Sequence, residues 1–161
     1  MKSIKSLAFL CVERLLSRCT DKIICISEAE YMSALNHNIA DSKKLDLILN
    51  GIDFSLIEKA EIKKRSELGI PEKAYVIGMI GRISPQKAPD VFLKAARLIM
   101  DEVPNAYFMI VGDGEERTQI ELYAKEYNVN LYISGWTNAP YQYLKVFDMA
   151  MLLSRWEGFG L

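Results

Sequence analysis

Apolar positions follow two different rhythms along the chain, and each predicts a different kind of element. Ile4, Leu7, Ala8, Cys11, Val12 and Leu15 recur at three- and four-residue steps. That spacing puts them on one face of an amphipathic helix reaching about Ser17. A short β-branched run, Lys22 to Ser27, then a helical stretch from Glu28 to about Asn36, then Leu45 to Leu49 before Asn50 and Gly51, read as strand, helix, strand. A Lys- and Glu-rich segment from about Leu56 to Leu68 predicts a linking helix, stopped by Gly69, Ile70 and Pro71, with a lobe boundary near that stop. From Ala74 the rhythm becomes regular: YVIGMIG, a helix over 88–101, YFMIVG, a helix over 115–127, LYISG, a short helix over 140–146, and MAMLLS. Strands that are continuous apolar runs, alternating with helices, imply a parallel sheet covered on both faces. The fold class is therefore α/β, a doubly wound, Rossmann-like parallel sheet.

Composition narrows this picture without redirecting it. The chain has 161 residues, 50% hydrophobic and 25% charged, with a formal net charge of -1. This is a globular profile, and the balanced charge supplies no field to draw the chain onto nucleic acid. The length suits one domain or two incomplete lobes. Cys11, Cys19 and Cys25 have the spacing of neither a zinc pair nor a redox pair, so they read as small buried residues. The basic, apolar start is interrupted by Glu13 and Arg14 with no small-residue cleavage site after it, which argues against a signal peptide. No stretch approaches the roughly 18 continuous apolar residues of a membrane span. Lys2, Lys5, Arg14 and Arg18 lie largely off the first helix's apolar stripe. That helix suits packing against a sheet missing from the chain or peripheral contact with an anionic membrane face.

In an open parallel sheet, ligands bind beyond the carboxyl ends of the strands, so chain order alone designates the segments to inspect. They are Gly81 to Lys87, Gly112 to Glu116, Gly135 to Thr137, and Ser154 to Gly160. Glycines there let backbone N–H groups approach a ligand, and a helix starting just beyond presents partial positive charge to phosphate. Arg82 and Lys87 bracket the turn into the helix near Ala88, where a guanidinium fork and an ammonium suit a pyrophosphate. Elsewhere in a loop, the same two cations would read as solvated charges.

Two phosphate motifs are excluded. The loop after YVIGMIG is not GxGxxG, and Lys87 lacks the preceding glycine of GxxxxGK. Gly112 and Gly114 supply two dinucleotide glycines, but Arg117 stands where the third would be, so that match reads as a strand-to-helix turn. Glu157, between Trp156 and the turn Gly158, Phe159, Gly160, suits acceptance of sugar hydroxyls, and an exposed turn accounts for it equally well. His37, the only histidine, lies far from these loops, which argues against a catalytic or metal role.

The ordered set Gly81, Arg82 and Lys87, then Val111 to Gly114, Asp148, Ser154, and Glu157 to Gly160 resembles the glycosyltransferases of family 4, also called glycosyl transferases group 1. Asp21 to Ser27 and Leu49 to Asp53 are similar to that family's approach to its interlobe link, so the resemblance covers nearly the whole chain. It implies a GT-B architecture: two Rossmann-like lobes across a cleft, the nucleotide sugar held mainly by the C-terminal lobe, and transfer with retention of configuration. It further implies that Arg82 and Lys87 bind the donor diphosphate as leaving group, while Glu157 contacts the transferred sugar. Gly81, Gly112 and Gly114 would line the nucleotide pocket, and Ser154, Gly158, Phe159, Gly160 and Leu161 would contribute contacts to sugar and phosphate. No metal or separate cofactor is implied beyond the nucleotide-diphosphate sugar itself. The acceptor class is a saccharide or lipid-linked glycan, in surface polysaccharide or lipopolysaccharide synthesis at the cytoplasmic membrane face.

One departure bears on activity. The family's second glutamate would fall at position 165, four beyond Leu161. The resemblance therefore predicts an internal piece, incomplete at both ends. Residues 1–54 would end an acceptor-side lobe, 55–72 form the link and 73–161 a truncated donor lobe, with little turnover from the piece alone. Rival readings are a nucleotide-sugar binding module without transfer, a GT-B relative such as an epimerase or phosphorylase, and, less consistent with the missing motifs, a dehydrogenase or response regulator.

Overall fold

The computed structural model describes residues 4–157. They fall into two compact units that divide between Ile52 and Asp53. In the first unit, α1 (Ile4–Leu16) precedes β1 (Ile23–Cys25), α2 (Glu28–Asn36) and β2 (Leu45–Leu47). β1 and β2 pair in parallel, Ile23 opposite Leu45 and Cys25 opposite Leu47. α2 starts where the sequence predicts because Ser27 caps it, its hydroxyl accepting from the Glu30 N–H, while the Glu30 carboxylate reaches back to the Ile26 N–H. Leu7, Val12 and Leu15 of the predicted α1 stripe are exposed, Leu10 is half-buried and Ser17, just past the helix, is buried. Cys11 and Cys19 are also exposed, against the expectation of burial, and only Cys25 is inside.

The second unit carries α3 (Phe54–Glu58), β3 (Tyr75–Ile80), α4 (Pro89–Glu102), β4 (Ala106–Val111), α5 (Arg117–Glu126), β5 (Leu131–Ile133), α6 (Tyr141–Leu144) and β6 (Met149–Ala150). The sheet is parallel throughout, in the order β5-β4-β3-β6. Alternate residues of each central strand enter opposite cores. Ile77, Met79, Phe108 and Ile110 pack with Phe92, Leu93 and Ala96 of α4 and Ile120 and Ala124 of α5. Val76, Met109 and Val111 pack with Ile70, Ala74, Tyr143 and Val146 on the other face. Phe92 meets Phe108 edge-on with ring centroids 5.9 Å apart, and both are fully buried. Each such side chain stabilises the fold by about 1.5–3 kcal/mol through area burial. The doubly wound parallel sheet expected from the sequence is the one observed.

The predicted linking helix over 56–68 does not form as one element. It is replaced by the short α3 and a single 3-10 turn, Arg65–Leu68, ended by Gly69 at φ +68°. The cause is tertiary. Arg65 donates to the carbonyls of Glu72, Ala74 and Val146 and to the Asp148 carboxylate at 2.8 Å, and the Lys63 N–H donates to the Gln142 carbonyl. Short isolated helices are marginal, so such anchors outweigh the segment's helical preference. Among the described residues, no helix is long and apolar enough to cross a membrane.

Candidate functional site

The chain runs outward from β3 through β4 to β5, then returns to lay β6 on the opposite side of β3. The order therefore reverses between β3 and β6, and the segments leaving those two strands run side by side at their carboxyl ends, the Arg155 N–H donating to the Gln86 carbonyl at 2.8 Å. Such a switch point is where an open α/β sheet holds its ligand. The loop after β3 carries Gly81, Arg82 and Lys87, and the segment after β6 carries Ser154 and Glu157. Residues 70 apart in sequence meet here: Lys87 Nζ donates to Glu157 Oε1 at 2.7 Å.

Both side chains are largely shielded, 19% exposed for Lys87 and 22% for Glu157. The Lys87 ammonium holds the Glu157 carboxyl below the usual glutamate range, with help from the Ser154 hydroxyl. Ser154 Oγ is buried and makes no hydrogen bond of standard geometry, so its effect on Glu157 is one of proximity. Lys87 lies over Gly81, where an added Cβ would stand 3.5 Å from its Cδ and Cε. Next to it, Ala88 begins α4 in a left-handed conformation, φ +53°, while fully buried. Pro89 disfavours the right-handed helical region for the residue before it, and a left-handed alanine costs roughly 1–2 kcal/mol. Strain of this kind is held by surrounding structure and gathers at functional sites.

Arg82 is placed differently from Lys87. It lines a cleft of about 360 Å³ together with Gly81, Gly112, Asp113, Trp136 and Thr137. Its side chain is 71% exposed, and Nε donates to Glu115 Oε2 at 3.1 Å. Each predicted phosphate-binding cation is thus partnered by a carboxylate, and an incoming phosphate would exchange one anionic partner for another.

Gly112 lines this cleft, and packing accounts for it and for Gly114. A Cβ on Gly112 would lie 2.1 Å from the Gly81 carbonyl oxygen, and one on Gly114 2.2 Å from that of Ile83. The two loops press backbone to backbone, with the Ile83 N–H on the Asp113 carbonyl at 2.9 Å and the Glu116 N–H on the Ile83 carbonyl at 3.2 Å. Asp113 is kept below the usual carboxylate range by the Gly114 N–H first and by Arg117 next. Gly158, Phe159, Gly160 and Leu161 lie outside the described residues.

Sequence reasoning overlooked several participants. Arg155 Nη2 donates to both Asp90 oxygens at 2.8 Å, Gln86 Nε2 donates to the Trp156 carbonyl at 3.1 Å, and Glu115 holds Arg82. A signal for Asp90 existed, since an acidic residue in the first turn of a helix follows the helix dipole. Its partner, 65 residues away, was not legible. Asp148, part of the family resemblance, serves the scaffold. Its carboxylate accepts from Arg65 at 2.8 Å and from the Val76 N–H at 2.7 Å, pinning the entry to β6 onto β3.

The profile of the family described as glycosyl transferases group 1 matches residues 60–161, and the chain belongs to that family. It is 32% identical, over 99% of its own length and 43% of the relative's, to the UDP-Gal:alpha-D-GlcNAc-diphosphoundecaprenol alpha-1,3-galactosyltransferase of Escherichia coli. It is 27% identical, over 88% of its length and 34% of the relative's, to a D-inositol 3-phosphate glycosyltransferase of Segniliparus rotundus. Among solved structures it resembles Anabaena HepE in complex with UDP and glucose, with a TM-score of 0.73 at 19% identity over 90% of this chain and 41% of that one. WaaG, a glycosyltransferase involved in lipopolysaccharide biosynthesis, superposes with a TM-score of 0.72 at 16% identity over 84% of this chain and 39% of that one. These two likenesses establish a fold shared with glycosyltransferases. The chain spans less than half the length of these curated relatives.

Proposed function

We propose that this chain supplies the donor-binding part of a retaining glycosyltransferase that moves a sugar from a nucleoside-diphosphate sugar to a saccharide or lipid-linked acceptor in cell-surface glycan synthesis. The observation that carries the reading is the Lys87–Glu157 contact at the β3/β6 switch point, 2.7 Å long. An ammonium held there, at the head of a 14-residue helix, stabilises charge that grows on a departing diphosphate as the glycosidic C–O bond breaks. Arg82, across the cleft loop, adds a second cation. Glu157, its carboxyl held below the usual glutamate range by Lys87, accepts hydroxyl hydrogens of the transferred sugar.

The lobe assignment belongs to the same proposal: residues 1–54 on the acceptor side, 55–72 as link and 73–161 as donor lobe. Its support is the division between the compact units at Ile52 and Asp53, next to the first of those boundaries. The acceptor class rests on the E. coli relative, whose name specifies a diphosphoundecaprenol substrate. Peripheral contact at a cytoplasmic membrane face is consistent with the exposed Leu7, Val12 and Leu15 of α1.

Titration of the purified chain with UDP, GDP, ADP and CDP tests the donor site. Saturable binding of one nucleotide, abolished by the double substitution Arg82→Ala/Lys87→Ala, is the expected result. Binding that survives the double substitution would remove both residues from the site.

A further inference from the structure

We infer that Arg155 is a positioning residue: with Asp90 it clamps the segment bearing Glu157 onto the loop bearing Lys87, and so sets the Lys87–Glu157 spacing. The inference rests on the reading of that pair as the donor site, but its geometry stands independently. β6 is only two residues long, and among the described residues the last ladder bond from this strand is the Met151 N–H to the Gly78 carbonyl at 2.8 Å. Glu157 lies six residues further on, a span of roughly 20 Å if extended. Unanchored, a segment of that length would not hold a carboxylate to within the fraction of an ångström that a preorganised site requires.

The anchoring comes from one side chain and its two neighbours. The Arg155 fork takes both Asp90 oxygens at 2.8 Å through Nη2, and Nη1 donates to the Pro85 carbonyl. Its own N–H donates to the Gln86 carbonyl at 2.8 Å, and Gln86 in turn holds the Trp156 carbonyl at 3.1 Å. Three successive residues, 155 to 157, are thereby matched to the loop residues 85 to 87 that lead into α4. Asp90 sits in the first turn of α4, with Lys94 3.6 Å away as its other cationic neighbour. Burial raises its carboxyl, but Arg155 first and then Lys94 bring it below the usual range. A planar fork that meets a carboxylate and a carbonyl together calls for arginine, which lysine replaces only as a point charge.

The test reads the spacing itself. In the chain labelled with 13C at glutamate side-chain carboxyls, Glu157 is titrated in the parent, in Arg155→Gln, in Asp90→Asn and in the charge swap Arg155→Asp/Asp90→Arg, with Lys87→Gln as reference for a lost contact. The expected result is an upward shift of the Glu157 midpoint in both single variants toward that of Lys87→Gln, with at least partial return in the swap. The β3 and β4 amides should keep their protection in each variant. Parental titration of Glu157 in a folded Arg155→Gln or Asp90→Asn chain would overturn the inference. Should either single variant unfold, Arg155→Lys decides: an unchanged Glu157 midpoint there also overturns it. UDP titration in parallel separates the two ideas. Absence of any nucleotide binding by the parent counts against the proposed function, while the carboxyl titration still decides the clamp.

Discussion

The two units of this chain hold themselves together by different means. Of the 22 buried hydrophobic residues among those described, only Cys25 and Leu45 belong to the first unit. The second has two cores, one on each face of a sheet whose central strands pair over six residues each. The first relies instead on polar stitching. Lys44 Nζ donates to the carbonyls of Ser17 and Thr20 at 2.9 and 2.8 Å, Ser17 Oγ donates to the Ile39 carbonyl at 2.6 Å, and Arg14 holds the His37 carbonyl. Side-chain hydrogen bonds fix direction and register but contribute only about 1 kcal/mol each, whereas core burial is worth more per residue and is cooperative. The second unit therefore holds most of the described core, and the candidate site is built on it.

That contrast can be broken most forcefully at Phe92. Phe92→Ala removes a fully buried ring and should cost about 3–5 kcal/mol. Native-state amide exchange should show it as lost protection across β3 and β4, whereas Leu15→Ala in the first unit, at a side chain 63% exposed, should change protection by no more than about 0.5 kcal/mol. A smaller effect is expected at Asp148. Asp148→Ala leaves the Val76 N–H without its acceptor and Arg65 without its carboxylate, for a loss of about 1–3 kcal/mol, and the exchange of the Val76 amide should accelerate first. The smallest effect sharpens the account of the first unit. Lys44→Gln should cost about 1 kcal/mol, read as faster exchange near Thr20 and at β1 with β3 and β4 unchanged. Equal losses in both units would mean that the two do not stand separately.

Much of the second unit was legible because its signals are local. Tyr75 to Ile80 and Ala106 to Val111 are apolar runs too short for helices, and α4 shows a helical apolar period with Pro89 at its start. The 56–68 segment misled because helix propensity is a weak prior. The anchors that replaced the helix, from Arg65 to carbonyls as far away as Val146, leave no mark on local sequence. α1 forms over Ile4–Leu16 as its period predicts, but periodicity does not name the neighbours its apolar stripe would face.

The same division runs through the site. Chain order and glycine placement, both readable from the sequence, pointed to the carboxyl ends of one sheet's strands, after which Arg82, Lys87 and Glu157 lie. Only the tertiary structure decided the pairings there: Lys87 with Glu157, Arg82 with Glu115, Arg155 with Asp90. Backbone periodicity repeats over a few residues and can be read along the chain. Ion pairs form over a few ångströms between residues up to 83 positions apart, and so exist only once the sheet has brought its strands side by side.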